Sequence, residues 1–186
     1  MKFKKFGALL IGAILTIGVA AGLGASSEGE RAEAATYTEL VKVTSSSTLD
    51  TNKEYVYGTG NTDTAKFLQI STTANTSSWG NIASSLTGAT KFKVSGTIDS
   101  FYLYAGNYKV SSLTSNSFSA TTSTPADANK SSVNTDGNLI NAQTTARNLR
   151  LNGSSGWRWY ASTTGSQGYL YEIQAASLIS IEAQIE

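Results

Sequence analysis

Two side chains that dominate enzyme chemistry are missing from this 186-residue chain, which has no His and no Cys. A Ser-His-Asp triad, a thiolate nucleophile, a haem axial His and a Cys/His zinc site are therefore excluded. Any reaction would have to use carboxylates, hydroxyls, Lys, Arg or Tyr. Beyond residue 34 the acids are Glu39, Asp50, Glu54, Asp63, Asp99, Asp127, Asp136, Glu172, Glu182 and Glu186. A glycosidase needs two carboxylates facing each other across a cleft. Asp50, Asp63, Asp99, Asp127, Asp136 and Glu186 instead fall in predicted turns, loops or the terminus, where Asp bonds nearby backbone N–H groups. Calcium would need an alternating D-x-D-x-D loop. Asn61-Thr62-Asp63 and Asn134-Thr135-Asp136 come nearest and read as turns. The expectation is a non-catalytic chain with no metal and no cofactor.

Binding is the better prospect. Beyond Arg31 the only arginines are Arg147, Arg150 and Arg158, close to Trp157, Trp159, Tyr160, Tyr169 and Tyr171. On a strand over 157–160, Trp157 and Trp159 share one face, and Arg158 and Tyr160 share the other. Arg150 likewise opposes Leu149 and Leu151. If Arg150 and Arg158 project together beside Tyr rings, they form a planar cationic patch. Such a patch stacks on a sugar ring or grips an anionic group. The plainer reading, which weighs more, is that these arginines lie over aromatic faces as packing. A second candidate is the pair Tyr102 and Tyr104, opposite Phe101 and Leu103. Phe and Leu make the better core face, which leaves the Tyr hydroxyls in water. The candidate contact residues are therefore Tyr102, Tyr104, Arg150, Trp157, Arg158, Trp159 and Tyr160.

What must position these residues is a set of short strands. Ser and Thr supply 47 of the residues beyond 34 and Asn another 12, a composition compatible with disorder. Three Trp, nine Tyr and four Phe in the same stretch argue otherwise, because they lie in period-two runs that read as strands. The runs are 37–43, 54–57, 65–70, 90–94, 101–105, 108–113, 117–121, 138–143, 146–151, 157–161 and 169–174. Gly106-Asn107 and Asp136-Gly137 are hairpin signals. Strands spaced at about 8–12 residues predict an all-β fold, an antiparallel sandwich or partly closed barrel of roughly 9–11 strands. Trp79, Ile82, Ala83 and Leu86 fall at helical spacing after Ser78, which predicts one short helical turn. The loop 121–132, with the only Pro, Pro125, is expected to be a mobile insertion.

The ends are different in kind. Lys2, Lys4 and Lys5, an apolar run from Phe6 to Gly24, and Ala32-Glu33-Ala34 form a secretory signal pattern over 1–34, with an uncleaved anchor as the alternative. The globular unit is expected over 35–176, outside the cytoplasm, secreted or at the cell surface. Residues 177–186 read as a closing strand or the start of a following domain. Beyond 34, ten basic residues balance ten acidic ones, so there is no footprint for nucleic acid or for an anionic membrane. A monomer is expected.

Asp136-Gly137-Asn138-Leu139-Ile140, Arg147-Asn148-Leu149-Arg150-Leu151-Asn152, Trp157-Arg158-Trp159-Tyr160 and Tyr169-Leu170-Tyr171 carry a resemblance. With Tyr37-Thr38-Glu39-Leu40-Val41 they resemble a β-rich module of secreted Gram-positive bacterial proteins, often found beside bacterial immunoglobulin-like repeats. The family pattern is R-N-x-L-R-x-N, one residue longer than the run here. The resemblance spans most of 37–174 and implies an accessory module with no activity of its own. Two functions follow as expectations. One is a carbohydrate-binding or surface-polymer-binding module, its partner a glycan or cell-wall polymer. The other is a structural spacer or adhesion-type domain with no small-molecule ligand.

Overall fold

The computed structural model describes residues 36–143 and 147–177. The expected leader 1–34 and the segment 178–186 lie outside the described residues. Among the described residues, fifteen strand segments form two sheets, all paired antiparallel. The first sheet takes β1 (Thr36–Lys42), β2 (Glu54–Gly58), β3 (Phe67–Gln69), β5 (Asn81–Ala83) and β15 (Tyr169–Ser177), in the order β1-β15-β2-β3-β5. The second takes β4 (Thr76–Ser77), β6 (Lys93–Thr97), β7 (Ser100–Ala105), β8 (Tyr108–Ser111), β9 (Ser119–Thr121), β10 (Ser131–Val133), β11 (Leu139–Asn141), β12 (Asn148–Asn152), β13 (Gly156–Tyr160) and β14 (Ser166–Gln167). Its order is β13-β12-β11-β10-β7-β8-β9-β4, with β6 beside β7 and β14 beside β12. The all-β antiparallel architecture is as expected. The segment count is higher because several two- and three-residue strands interrupt the loops.

The alternation of the sequence sets the layers. In β7, Phe101, Leu103 and Ala105 are buried while Ser100, Tyr102 and Tyr104 are half-exposed. The inward residues of both sheets make one core, including Tyr55, Tyr57, Phe92, Phe101, Phe118, Trp157 and Trp159. Two seams join the sheets. Tyr55 and Phe92 exchange backbone bonds of 2.8 Å each, and Gly80 and Trp157 do so at 2.9 and 2.8 Å. A second, smaller cluster covers the outer face of the five-stranded sheet: Leu40, Val56, Ala65, Phe67, Ala83 and Tyr171.

One local expectation is corrected. The segment after Ser78 is not helical, since Asn81–Ala83 pairs with β3. Gly80, Asn81, Ser84 and Ser85 are weak helix formers. The apolar spacing serves a strand instead, with Ile82 packed on the main core and Ala83 in the outer cluster. Ser78 sits at φ 68°, outside the extended conformation an N-cap requires. The one helical element among the described residues is a 3-10 turn at Asp127–Asn129. That turn lies in the 121–132 loop, whose C-terminal part is bonded to neighbouring segments. Ser112 N–H donates to Asn129 O (2.8 Å), Ala142 N–H to Lys130 O (2.9 Å), and Pro125 is buried.

The hairpin signals hold. Ala105 pairs with Tyr108, leaving Gly106-Asn107 as a two-residue loop with Gly106 at φ 56°, the first central position of a Gly-first turn. At Asp136-Gly137 the loop is organised by Asn134, whose Oδ1 accepts from Asp136 N–H (3.1 Å) and Asn138 N–H (2.9 Å). Asn134-Thr135-Asp136 is thus a turn. No helix among the described residues is long and apolar enough to cross a membrane.

Candidate functional site

The two arginines of the Arg/aromatic patch are assembled on one face, but most of the patch is buried. Arg150 and Arg158 stand directly opposite each other in the β12–β13 ladder, the juxtaposition the sequence suggests. Arg150 is only 8 % exposed. Its Nε donates to Thr164 O (2.9 Å), Nη2 to Thr163 O (3.1 Å) and Gly165 O (2.8 Å), and Nη1 to Gln167 Oε1 (3.1 Å). The guanidinium fork is spent on holding the 163–167 loop down over the strand. Arg158 is half-exposed, but it stacks on Trp79 at 3.4 Å from the ring centroid and donates from Nε to Ser78 O (2.6 Å). Tyr160 is buried and accepts from Asn152 Nδ2 (3.0 Å).

The tryptophans belong to the core. Trp157 and Trp159 are 0 % exposed. Trp157 meets Tyr57 edge-on at 5.2 Å, and the Tyr57 hydroxyl donates to Leu149 O (2.7 Å). Burial therefore removes Arg150, Trp157, Trp159 and Tyr160 from the candidate contact surface, and Arg158 serves as packing over an aromatic face. The sequence defines which residues share a face. It does not show that the 161–167 loop folds over one of those faces.

Tyr102 and Tyr104 do face outward. Both are half-exposed, and their ring centroids lie 6.1 Å apart at 59°. The ladders set a row across three strands, because Tyr104 pairs with Lys93 on β6 and with Lys109 on β8. Ser95 stands beside Tyr102. The two ammonium groups are steadied by backbone oxygens: Lys93 Nζ donates to Asn52 O (2.7 Å) and Lys109 Nζ to Thr122 O (3.1 Å). The result is an amphipathic stripe, two rings with a cation on each side, on the outer face of the ten-stranded sheet.

A pocket that sequence reasoning missed opens on the outer face of the other sheet, with a volume of about 410 Å³. Its floor is Phe67, Leu86 and Ile173. Its rim is polar, with the hydroxyls of Thr38, Thr62, Ser85 and Thr87 and the charges of Asp63 and Lys91. Lys91 Nζ lies 3.9 Å from Glu54 Oε2. Beside it, Tyr169 and Tyr171 meet at 6.5 Å, and Lys42 Nζ sits 3.9 Å above the Tyr169 ring. Burial pushes the Tyr171 hydroxyl up to about 12, with the neighbouring Tyr169 adding to the effect. One sequence signal for this second apolar layer exists. Tyr55-Val56-Tyr57 is an unbroken apolar run, the mark of a strand covered on both faces.

Among the described residues no group of three or more Asp or Glu is placed to hold a metal ion. Comparisons with protein-family models, with curated proteins and with solved structures gave no match.

Proposed function

We propose that this chain is a non-catalytic extracellular β module that binds a surface polymer, a glycan, through the outer face of its ten-stranded sheet. The observation that carries the reading is the Tyr102/Tyr104 stripe with Lys93 and Lys109 at its sides. Half-exposed rings offer flat apolar area to the C–H face of a sugar, and their hydroxyls and the flanking ammonium groups offer hydrogen bonds. The leader pattern over 1–34 and the balanced charge beyond it support delivery outside the cytoplasm and a neutral or mildly anionic partner. The resemblance to an accessory module of secreted Gram-positive proteins points the same way.

A spacer role is the second reading. It is favoured by the internal use of Trp157, Trp159 and Arg150, which a binding module of this kind would more usefully display. An array of immobilised polysaccharides separates the two. Binding by the wild type and loss of that binding in Tyr102→Ser/Tyr104→Ser supports the glycan module. Failure of the wild type to bind any glycan leaves the spacer.

A further inference from the structure

We propose that the pocket on the outer face of the five-stranded sheet is a second binding site, one that accepts a single saccharide residue or the end of a glycan chain. It lies on a different sheet from the Tyr102/Tyr104 stripe, and the two share only the class of ligand. The volume of about 410 Å³ falls within the ~300–1,000 Å³ typical of ligand clefts. Phe67, Leu86 and Ile173 give an apolar floor, and around it stand hydroxyls, one carboxylate and one ammonium. A pyranose has this same division, an apolar C–H face and a rim of hydroxyls that both donate and accept.

Other ligand classes fit less well. An anion would need surplus positive charge, yet Lys91 is shared with Glu54 at 3.9 Å and Asp63 adds a negative charge. A metal ion would need clustered acids, which the described residues do not provide. A wholly apolar ligand would leave the polar rim unused. Asp63 and Thr87 enter no side-chain hydrogen bond or ion pair with the described residues, so their polar groups are available to a ligand.

The pocket is built rather than left over. One wall is the 59–66 loop, closed by Thr59 N–H to Lys66 O (2.9 Å), Lys66 N–H to Thr59 Oγ1 (3.0 Å) and Ala65 N–H to Thr62 O (3.0 Å). The other wall is the 84–90 loop, held by Thr90 N–H to Leu68 O (3.1 Å), Ala89 N–H to Leu86 O (3.2 Å) and Gln69 Nε2 to Gly88 O (3.2 Å). Walls fixed before binding lower the ordering cost that a weak sugar contact could not otherwise meet.

The test is amide chemical-shift mapping of the ¹⁵N-labelled full chain with glucose, galactose, N-acetylglucosamine, maltose, cellobiose and lactose, each up to ~50 mM so that millimolar affinities register. Saturable shifts at Asp63–Phe67 and Ser85–Lys91 with at least one probe are expected. Thr87→Trp, which fills the mouth, and Asp63→Ala, which leaves the fold's apolar contacts intact, should each weaken them about tenfold or more. Tyr102→Ser/Tyr104→Ser should leave them unchanged. The inference is overturned if no probe shifts these amides, or if the shifts survive both pocket variants. Shifts confined to Lys93–Lys109 would also overturn it, while leaving the stripe and the proposed function standing.

Discussion

The fate of Trp157 shows how this sequence uses its large side chains. The ring lies between Tyr57 and Gly168, and the Trp157 Cβ stands against Gly80. A Cβ on Gly168 would stand 2.5 Å from Tyr57 Cε1 and 2.7 Å from Trp157 Cζ3, so only a residue without one lets the strand approach. Gly168→Ala should therefore destabilise the protein by about 1–3 kcal/mol through overpacking, read as a lower denaturation midpoint. An unchanged midpoint would mean the slot has slack. The sequence shows that Trp157 and Trp159 share a strand face, because residues two apart on a strand must. It does not show that this face is inward, since Arg158 and Tyr160 opposite them are also large and only the packed partners decide. The Tyr102/Tyr104 face was legible because its competitor was Phe101 and Leu103, plainly the more apolar pair.

At the scale of elements, the long alternating strands were readable and the short ones were not. β1, β7, β13 and β15 carry enough period-two pattern to declare themselves. β4 and β14 have two residues each, and β5 has three. Such segments have no period to read, and exist because a distant strand presents its edge, as β9 does to β4. The helical spacing after Ser78 misleads for the same reason. Pairing with β3 and the Gly80–Trp157 bridge outweigh a weak local helix propensity. The segment over Arg150 is held by the β12–β14 pairing and by one side chain, which supplies four hydrogen bonds to it. Arg150→Met should cost about 2–3 kcal/mol and speed amide exchange throughout 161–167. Arg150→Lys should recover little of this, because an ammonium cannot reproduce the fork. Full recovery by Lys would show that charge alone holds the loop.

At the largest scale, the described residues form two antiparallel sheets, curled into a half-barrel, around one large core, with a smaller apolar layer on one outer face. The fold class was legible from composition and alternation. The second layer was not, because the residues that roof it sit in loops of Ser, Thr, Gly and Asp. Both layers contain buried tyrosines, which sets the response to alkali. Burial raises the hydroxyls of Tyr55 and Tyr57 in the main core and Tyr171 in the outer cluster above the ordinary value of 10.0. A raised folded value means the native state keeps protons that the unfolded chain has released. This contribution to stability is complete below about pH 10 and is lost as pH rises through about 12. Denaturation midpoints should hold steady from neutrality to about pH 10 and then fall, with the last tyrosinate absorbance arriving together with unfolding. Early, complete ionisation of all nine tyrosines in a folded chain would contradict that burial.

Tyr102 and Tyr104 are the half-exposed ring pair on the outer face of the ten-stranded sheet, and the proposed function makes them the contact face. Affinity electrophoresis through gels containing a polysaccharide that retards the wild type measures this directly. Tyr102→Ser/Tyr104→Ser should be retarded at least about tenfold less while unfolding at the same midpoint, each stacked ring contributing about 1 kcal/mol or more. Equal retardation of both proteins would contradict the assignment of the stripe as the contact face.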